Sequence, residues 1–346
     1  MIKIGIVGTG NIVGISHYHV QGLLRDGRAK IAAVYDTRRE GAAEWVREHN
    51  LTATVCHSYE QLIEMVDAVN ICVPNVVHGE YALKAIEAGK HFLLEKPMAV
   101  TLEESAILAA AAESFSHVGM VGFVYRYANA VKRAKEIVEE RIGRVYTYTS
   151  WFGGKRLSNP SIPLEWRMIR SRSGSGALGD FGSHLIDLAD FVAAQRYETI
   201  ACQTGQFILQ RQSDSGFAEI ENDDAAVFVA KGPNGLGSFT VSRVGLDDLM
   251  ILVTGEGGMV QVSLRGEGSV TYWHKNVDGG YTGRVENVTF EAQEPFAGWF
   301  DKEMSAYLDA IEDPSRDYPS VAQGYYVERV LACAEHAYER EEVGRI

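Results

Sequence analysis

The 346-residue sequence lacks several features that mark membrane, redox or nucleic-acid-binding proteins. No stretch reaches the roughly 18 consecutive apolar residues of a transmembrane helix, which argues against a membrane protein. Lysine and arginine number 33 against 46 acidic residues, and the net charge of −13 disfavours a nucleic-acid surface, because phosphates require clustered cations. The four cysteines lie far apart without a CxxC pair, which disfavours a dithiol centre or a cysteine zinc site.

The first residues also lack the long apolar stretch and cleavage site of a signal peptide, and Met1–Val7 instead predicts a β-strand. Together with the scattered cysteines, this predicts a reduced, cytoplasmic protein. Hydrophobic residues make up 46% of the chain and charged residues 23%, an ordinary globular composition that argues against disorder. A chain of this length exceeds one typical core, so we expect two domains.

Strand and helix signals alternate through the first 122 residues. Short apolar runs predict strands at Ile2–Val7, Ile31–Tyr35, Ala68–Val73, His91–Leu94 and Val118–Val121. Longer periodic segments predict helices near 11–26, 38–49, 58–66, 77–89 and 102–114. Strands separated by helices of this length form a parallel sheet with right-handed crossovers. We therefore predict an α/β domain with a doubly wound parallel sheet at residues 1–124.

After Gly143 the pattern changes to short strands with glycine-containing turns. The predicted strands are Val145–Phe152, Ile200–Leu209, Ala225–Ala230, Gly237–Arg243, Met250–Thr254, Met259–Leu264, Val270–Trp273 and Val285–Glu291. Helices are expected near 127–141, 178–194, 297–312 and 321–340. This pattern is typical of an antiparallel sheet. It predicts a C-terminal α+β domain at residues 125–346 with an open, mainly antiparallel sheet.

A glycine-rich turn follows the first predicted strand and opens the first helix. Glycines are needed where the chain turns tightly and where backbone N–H groups approach a pyrophosphate at a helix N-terminus. Val13 occupies the position of the third glycine in the dinucleotide-binding pattern, and Gly14 follows one residue late. The turn indicates a Rossmann domain, and its predicted cofactor contacts are Gly8, Thr9, Gly10, Asn11 and Ile12.

Asp36 ends the second predicted strand, where an acidic side chain accepts hydrogen bonds from the ribose of NAD. The alternative is a glycine turn with an unrelated surface aspartate. The carboxylate repels the 2′-phosphate of NADP, whereas Arg38 and Arg39 next to it can hold that phosphate. The sequence favours NAD as the cofactor and leaves NADP open, with Asp36 and Arg38 as the deciding residues.

Two further segments contain charged or titratable residues that suit a ligand-binding or catalytic site. Lys96, followed by Pro97, lies at the C-terminal end of the fourth predicted strand, the edge of an open α/β sheet at which ligands bind. Asp180 and His184 begin a predicted helix and share one face, because they are four residues apart. A carboxylate beside an imidazole suits general acid–base catalysis, although the same pair also occurs as a plain helix pair or as half of a metal site.

Together these motifs resemble the glucose–fructose oxidoreductase/inositol dehydrogenase/rhizopine catabolism (Gfo/Idh/MocA) family, from Met1 to about Asp190. The matching segments are 8–12, 74–78, 88–97, 125–127 and 176–187. The resemblance implies a Rossmann domain followed by an open antiparallel sheet whose exposed face commonly makes oligomer contacts. It also implies that Lys96 is the active-site lysine and that Asp180 and His184 form the acid–base pair.

The resemblance extends the set of predicted cofactor contacts. Those residues are Val73, Pro74, Asn75, His78, Glu95, Lys96, Trp166 and Arg167. His78 has the alternative of merely starting a helix, and the Trp166–Arg167 pair that of contacting substrate or anchoring its loop. For Arg126 a buried ion pair is favoured over a substrate contact, and Asp187 is interpreted as a structural carboxylate.

The sequence thus predicts an NAD(P)-dependent oxidoreductase that transfers a hydride between nicotinamide and a hydroxyl carbon of a sugar, inositol or related polyol. It predicts a homo-oligomer, dimer or tetramer, with neither metal, nucleic acid nor membrane as partner. Three alternatives stay open: a glycosidase of the same family that oxidises its substrate transiently, a non-catalytic NAD-binding sensor, and a metalloenzyme that uses Asp180, His184 and a distant histidine.

Overall fold

A computed structural model describes residues 1–10, 14–213, 215–265, 268–289 and 296–346. The chain divides into two compact units. The first unit comprises Met1–Val124 and the described part of Pro295–Tyr326; the second comprises Val327–Ile346 and the described part of Tyr125–Glu294. None of the described helices has the length and apolarity required to cross a bilayer.

The first unit contains six parallel strands with helices between them. Its elements up to residue 124 are β1 Ile2–Val7, α1 Ile15–Asp26, β2 Ala29–Tyr35, α2 Arg39–Glu48, β3 Thr54–Val55, α3 Tyr59–Met65, β4 Ala68–Ile71, α4 His78–Glu87, β5 His91–Glu95, α5 Leu102–Ala112 and β6 Gly119–Gly122. The strand order is β3-β2-β1-β4-β5-β6. The order reverses beside β1, and ligands of open α/β sheets bind at such a reversal. The predicted doubly wound parallel sheet is confirmed.

Local sequence accounts for several element boundaries in this unit. β4 is buried on both faces, as expected for a central parallel strand covered by helices. Helix α5 begins after Thr101, whose hydroxyl accepts a hydrogen bond from the Glu104 amide at 3.2 Å. Gly89 follows α4 with φ +62°, the left-handed conformation that commonly ends a helix.

The second unit is built around one large sheet. Its elements begin with α6 Asn129–Ile137, β7 Val145–Gly153, α7 Arg170–Ser173, α8 Ala177–Ala193 and β8 Thr199–Gly205. They continue with β9 Gln210–Ser213, β10 Gly216–Glu219, β11 Ala225–Gly232, β12 Gly235–Ser242, β13 Asp248–Gly255, β14 Gly258–Ser263, β15 Ser269–Lys275 and β16 Tyr281–Thr289. The remaining elements of the chain are α9 Phe296–Glu312, α10 Val321–Arg340 and β17 Gly344–Arg345.

The large sheet has the order β16-β15-β14-β13-β7-β12-β11-β8-β17. Its pairs are antiparallel except β7 with β12, so the sheet is mixed and mainly antiparallel, as predicted. Helix α8 covers one face, against β7 and β12. On the other face several apolar side chains are exposed, among them Val227, Val229 and Leu236.

The structure differs from the sequence-based expectations in several places. The predicted second domain included 296–326, but this segment packs with the first unit, where α9 lies against α1. Gly22 permits that approach, because a Cβ there would lie 2.8 Å from Met304 Cγ. The strand predicted at Ile200–Leu209 ends at Gly205, and the short hairpin β9–β10 was not predicted. The last part of the strand predicted at Val285–Glu291 falls outside the described residues.

Candidate active site

The glycine turn leaves β1 in a conformation that only glycine adopts easily. Gly8 has φ +88° and Gly10 has φ +72°. A Cβ on Gly8 would lie 2.5 Å from the carbonyl oxygen of Cys72, so a side chain there would collide with the end of β4. The turn therefore presents a bare backbone at the sheet edge, as a bound pyrophosphate requires. Asn11, Ile12 and Val13 lie outside the described residues, so the predicted contacts of Asn11 and Ile12 remain predictions.

Asp36 lies directly beside this turn. Its Oδ2 accepts hydrogen bonds from the Thr9 amide and the Thr9 hydroxyl, both at 2.8 Å, and its Oδ1 accepts one from the Arg38 amide at 2.8 Å. The carboxylate is 10% exposed, and carboxylate oxygens have further lone pairs for an incoming hydroxyl group. This arrangement fits the ribose of NAD.

Arg38 folds back over the glycine turn. One of its terminal nitrogens donates to the carbonyl oxygen of Gly10 at 2.9 Å, and its Nε lies 3.8 Å from Asp36 Oδ1. The side chain is half exposed. The guanidinium therefore has both partners and access to solvent. The role of Asp36 and Arg38 in the choice between NAD and NADP stays a prediction.

The end of β4 is tied to the end of β5 through His78. Its ring is buried, with Nδ1 2.7 Å from the Pro97 carbonyl oxygen and Nε2 2.8 Å from the Val73 carbonyl oxygen. Burial lowers the pKa of this imidazole, which favours the neutral form. Both ring nitrogens face main-chain carbonyl oxygens, and a neutral ring can donate to one of them. A direct contact between His78 and the cofactor stays a prediction.

The residues nearest His78 form the rest of this edge. Pro74 is exposed and Asn75 is buried, at the start of a short 3₁₀ turn before α4. Lys96 is half-buried immediately after β5, and the Lys96–Pro97 peptide bond is cis. The structure thus gathers 73–78, 95–97 and the Gly8–Gly10 turn at the C-terminal ends of neighbouring parallel strands, where open α/β sheets bind ligands.

The structure also reveals a polar cluster that the sequence did not indicate. His19 on α1, Glu95 at the end of β5 and Glu303 on α9 each place a ligand-type atom within 4.8 Å of the others. His19 and Glu303 are fully buried, and His19 Nε2 lies 2.9 Å from Glu95 Oε1. The three residues come from distant parts of the chain, so no local spacing in the sequence marks them.

In the second unit, Asp180 occupies the first turn of α8 and is partly exposed. Arg243, at the end of β12, places a guanidinium nitrogen 3.5 Å from Asp180 Oδ2. Arg243 is buried, and its other terminal nitrogen donates to the Arg167 carbonyl oxygen at 3.1 Å. Sequence reasoning missed Arg243, because only strand pairing brings it to this helix.

His184 lies one turn further along the same helix and is buried. The Tyr125 ring meets its imidazole edge-on with ring centres 4.6 Å apart, and the Phe152 ring centre is 6.1 Å away. Burial, with the nearby charges of Asp180 and Asp247, raises the pKa of Tyr125 above its usual value, so the phenol keeps its proton. Aromatic rings thus lie against the imidazole, and its role in proton transfer stays a prediction.

Arg126 and Asp187 form a buried ion pair, as predicted. Arg126 Nε donates to Asp187 Oδ2 at 2.7 Å and a terminal nitrogen donates to Oδ1 at 2.5 Å. The Arg126 guanidinium also lies 4.8 Å from the Phe191 ring centre. A two-point pair of this kind anchors α8.

Trp166 and Arg167 lie together on a 3₁₀ turn within the long loop. The guanidinium of Arg167 stacks 4.5 Å from the centre of the Trp166 ring. Arg167 is exposed, whereas its carbonyl oxygen accepts from Asn222 Nδ2 at 2.9 Å as well as from Arg243. The main chain of this turn is therefore held in place, with Trp166 half-buried beneath the exposed Arg167. Contact of either side chain with a cofactor stays a prediction.

Comparison with known proteins identifies the family and supports the fold. Residues 2–123 match the model of an oxidoreductase family with an NAD-binding Rossmann fold, and residues 131–261 match the GFO/IDH/MocA C-terminal domain. Among solved structures, an oxidoreductase domain protein from Kribbella flavida has a TM-score of 0.90 at 25% identity, covering 100% of this chain and 99% of that one. A levoglucosan dehydrogenase in complex with NADH has a TM-score of 0.89 at 24% identity, covering 100% of this chain and 99% of that one. At that identity it supports the fold alone.

Curated relatives align with part of the chain. Levoglucosan dehydrogenase from Pseudarthrobacter phenanthrenivorans is 38% identical over 155 residues, which is 44% of this chain and 40% of that protein. Glucose-6-phosphate 3-dehydrogenase from Bacillus subtilis is 35% identical over 193 residues, 54% of this chain and 53% of that protein. The chain therefore matches about half the length of these relatives or less. Because the two family models cover most of its length, the chain belongs to the Gfo/Idh/MocA oxidoreductase family.

Proposed function

We propose that this protein is an NAD-dependent dehydrogenase that transfers a hydride between nicotinamide and a hydroxyl carbon of a sugar, inositol or related polyol. The observation that carries the proposal is the placement of Asp36 beside the bare glycine turn, which fits NAD at the sheet edge where Lys96 follows β5. The names of the aligned relatives, which include dehydrogenases of levoglucosan and of glucose 6-phosphate, support a sugar-like substrate.

We assign the cofactor to the first unit. Gly8, Thr9 and Gly10 hold the pyrophosphate and Asp36 binds the ribose hydroxyl groups. Bound there, NAD supplies the nicotinamide carbon that accepts or returns a hydride. The fit rests on this chain's own geometry, since a side chain at Gly8 would block the approach of the pyrophosphate to the backbone.

The acid–base chemistry is assigned to three residues by the family resemblance. Oxidation of an alcohol requires loss of the hydroxyl proton while a hydride leaves the carbon. Neutral His184 accepts that proton, and Asp180 on the same helix face stabilises the imidazolium that forms. Lys96 holds the alcohol oxygen and stabilises its developing negative charge. In the reverse direction the imidazolium returns the proton to the oxygen.

We further propose a cytoplasmic homo-oligomer that associates through the large sheet. Val227, Val229 and Leu236 are each about half exposed on the face opposite α8. Exposed apolar groups that share one sheet face mark an interaction surface, because water-exposed apolar area is costly. The proposal predicts that Val229→Lys weakens self-association, which sedimentation velocity measures against a Lys30→Glu control at an exposed position of β2.

The deciding experiment measures cofactor reduction with a panel of inositols, aldoses and anhydro sugars, with NAD and NADP in parallel. The proposal expects one or more alcohols to reduce NAD, and Lys96→Met to abolish turnover while NAD binding stays near the wild-type value. Wild-type activity in Lys96→Met would overturn the active-site assignment. NAD binding without turnover on any alcohol would favour a sensor, and release of an aglycone without net cofactor reduction would favour a glycosidase.

A further inference from the structure

The cluster of His19, Glu95 and Glu303 lies at the end of β5, next to Lys96 in the sequence. Glu95 is the last residue of β5 and Lys96 follows it. The Glu95 carboxylate points inward: its Oε1 lies 2.9 Å from His19 Nε2, and it packs so closely over Gly122 that a Cβ there would lie 2.9 Å from the same oxygen. The side chain before the proposed catalytic lysine is therefore held by the core of the first unit.

The contact of His19 Nδ1 with Asn70 indicates which ring nitrogen carries the proton that is donated to Glu95. Asn70 Nδ2 lies 3.1 Å from His19 Nδ1, and the Asn70 side chain is fully buried on β4. With the amide in this orientation Nδ1 accepts and the ring proton resides on Nε2, aimed at Glu95. Cys72 Sγ also lies 3.5 Å from Nδ1, so this side of the ring faces Asn70 and Cys72. Nε2 is the ring nitrogen that donates to Glu95.

Glu303 adds a second carboxylate to the same enclosed space. Its side chain is fully buried on α9, and one of its oxygens lies within 4.8 Å of the atoms that His19 and Glu95 contribute. Two carboxylates this close repel each other at low dielectric unless a proton or another positive charge lies among them. The His19 imidazole lies in this cluster and hydrogen-bonds to one of the two carboxylates, that of Glu95.

We propose that His19 is a positioning residue for the reaction: its Nε2–H holds Glu95, and through Glu95 it holds the end of β5 at which Lys96 acts. The inference rests on the proposed function, since it assumes that Lys96 contacts the substrate oxygen. Displacement of a reacting group by about 1 Å costs up to roughly 100-fold in rate, so the loss of this contact affects kcat rather than the fold.

The test uses two amide substitutions at His19 whose side chains differ in length by one methylene group. In His19→Gln the amide nitrogen falls near the position of Nε2 and can donate to Glu95; in His19→Asn it falls near Nδ1 and cannot. We expect His19→Gln to keep kcat within about 3-fold of wild type and His19→Asn to lose about 10–100-fold, with NAD affinity changed less than 3-fold in both. His17→Asn, on the same helix but in contact with His49, is the matched control and should keep its activity.

Thermal melting of each variant checks that it is folded. Asn70→Ala is a second test of whether the orientation of the His19 ring affects the rate. It removes the group that orients the ring without touching the Nε2–Glu95 contact, and we expect a 3–10-fold loss of kcat. Rates within 2-fold of wild type in both His19→Asn and Asn70→Ala would overturn the inference. Equal losses in His19→Gln and His19→Asn would also overturn it, because reach toward Glu95 would not matter.

The experiments also distinguish a metal site and a failure of the proposed function from a failure of the inference about His19. One equivalent of metal in the purified protein that disappears in His19→Asn would overturn the positioning role, because the three side chains would then be metal ligands. Activity that survives Lys96→Met would show that the proposed function itself is wrong. Loss of activity in Lys96→Met together with full activity in His19→Asn would overturn only the inference about His19.

Discussion

Arg243 lies 3.5 Å from the carboxylate of Asp180 and donates a hydrogen bond to the carbonyl oxygen of Arg167. A buried guanidinium therefore connects the first turn of α8, which carries the proposed acid–base pair, with the turn that carries Trp166 and Arg167. It also keeps a positive charge beside Asp180 whatever the charge of His184.

Replacement of Arg243 by Gln should lower both stability and rate. Removing one partner leaves Asp180 without its cation; because Asp180 is partly exposed, we expect a loss of about 1–3 kcal/mol in the free energy of unfolding. We expect kcat to fall about 10-fold or more, and Arg243→Lys to recover part of it. Urea unfolding and steady-state kinetics check both values. An unchanged kcat in Arg243→Gln would remove Arg243 from the site.

Substitution of Asp36 should change cofactor choice. Asp36→Ala removes the acceptor for the ribose and the group that holds Thr9, so NAD affinity should fall about 10–100-fold. Asp36→Asn keeps an oxygen for Thr9 and loses only the charge, so it should discriminate less against NADP with a smaller loss of NAD affinity. Titration of each protein with both cofactors measures this. Preference of the wild type for NADP would mean that Arg38 governs the site.

His184 and Asp180 should behave as one unit. His184→Asn keeps some hydrogen-bonding capacity but cannot relay a proton, so kcat should fall about 10²–10⁴-fold. Asp180→Asn should cause comparable damage, and the double variant should be little worse than either single one. Only a neutral imidazole accepts a proton, so the wild-type oxidative rate should decline toward acid pH. Multiplicative losses, with the acidic decline retained in His184→Asn, would place the base elsewhere, and Lys96 would be the next candidate.

Glu335 should make stability depend on pH. Burial is the main cause that raises the pKa of Glu335 to about 7. The positive charge of Arg170 lowers this pKa, whereas the negative charges of Asp223 and Glu339 raise it. The folded state then binds more protons than the unfolded state between about pH 4.5 and 7, so the free energy of unfolding falls as pH rises through that window. Glu335→Gln should remove this decline and stabilise the protein by about 1–2 kcal/mol at pH 8. Urea unfolding from pH 5 to 8 measures it; parallel curves for both proteins would contradict the assignment.

Much of the first unit could be predicted because its signals are local. The glycine turn, the acidic end of β2 and the Thr101 cap each act within a few residues, and burial on both faces makes β4 a continuous apolar run. The helix with Asp180 and His184 was predicted for the same reason, since a spacing of four residues fixes a shared face whatever surrounds it.

The sequence by itself thus determined the order of the elements, the phosphate-binding turn and the faces on which the charged residues lie. Only the tertiary structure decided which of these residues meet. His19 and Glu95 are 76 positions apart, and Arg126 and Asp187 are 61 apart. Arg243 reaches Asp180 only because β12 pairs beside β7 beneath α8. Such contacts depend on the packing of whole elements against each other. The periodicity of a single segment therefore does not predict which distant residue a buried charged side chain contacts.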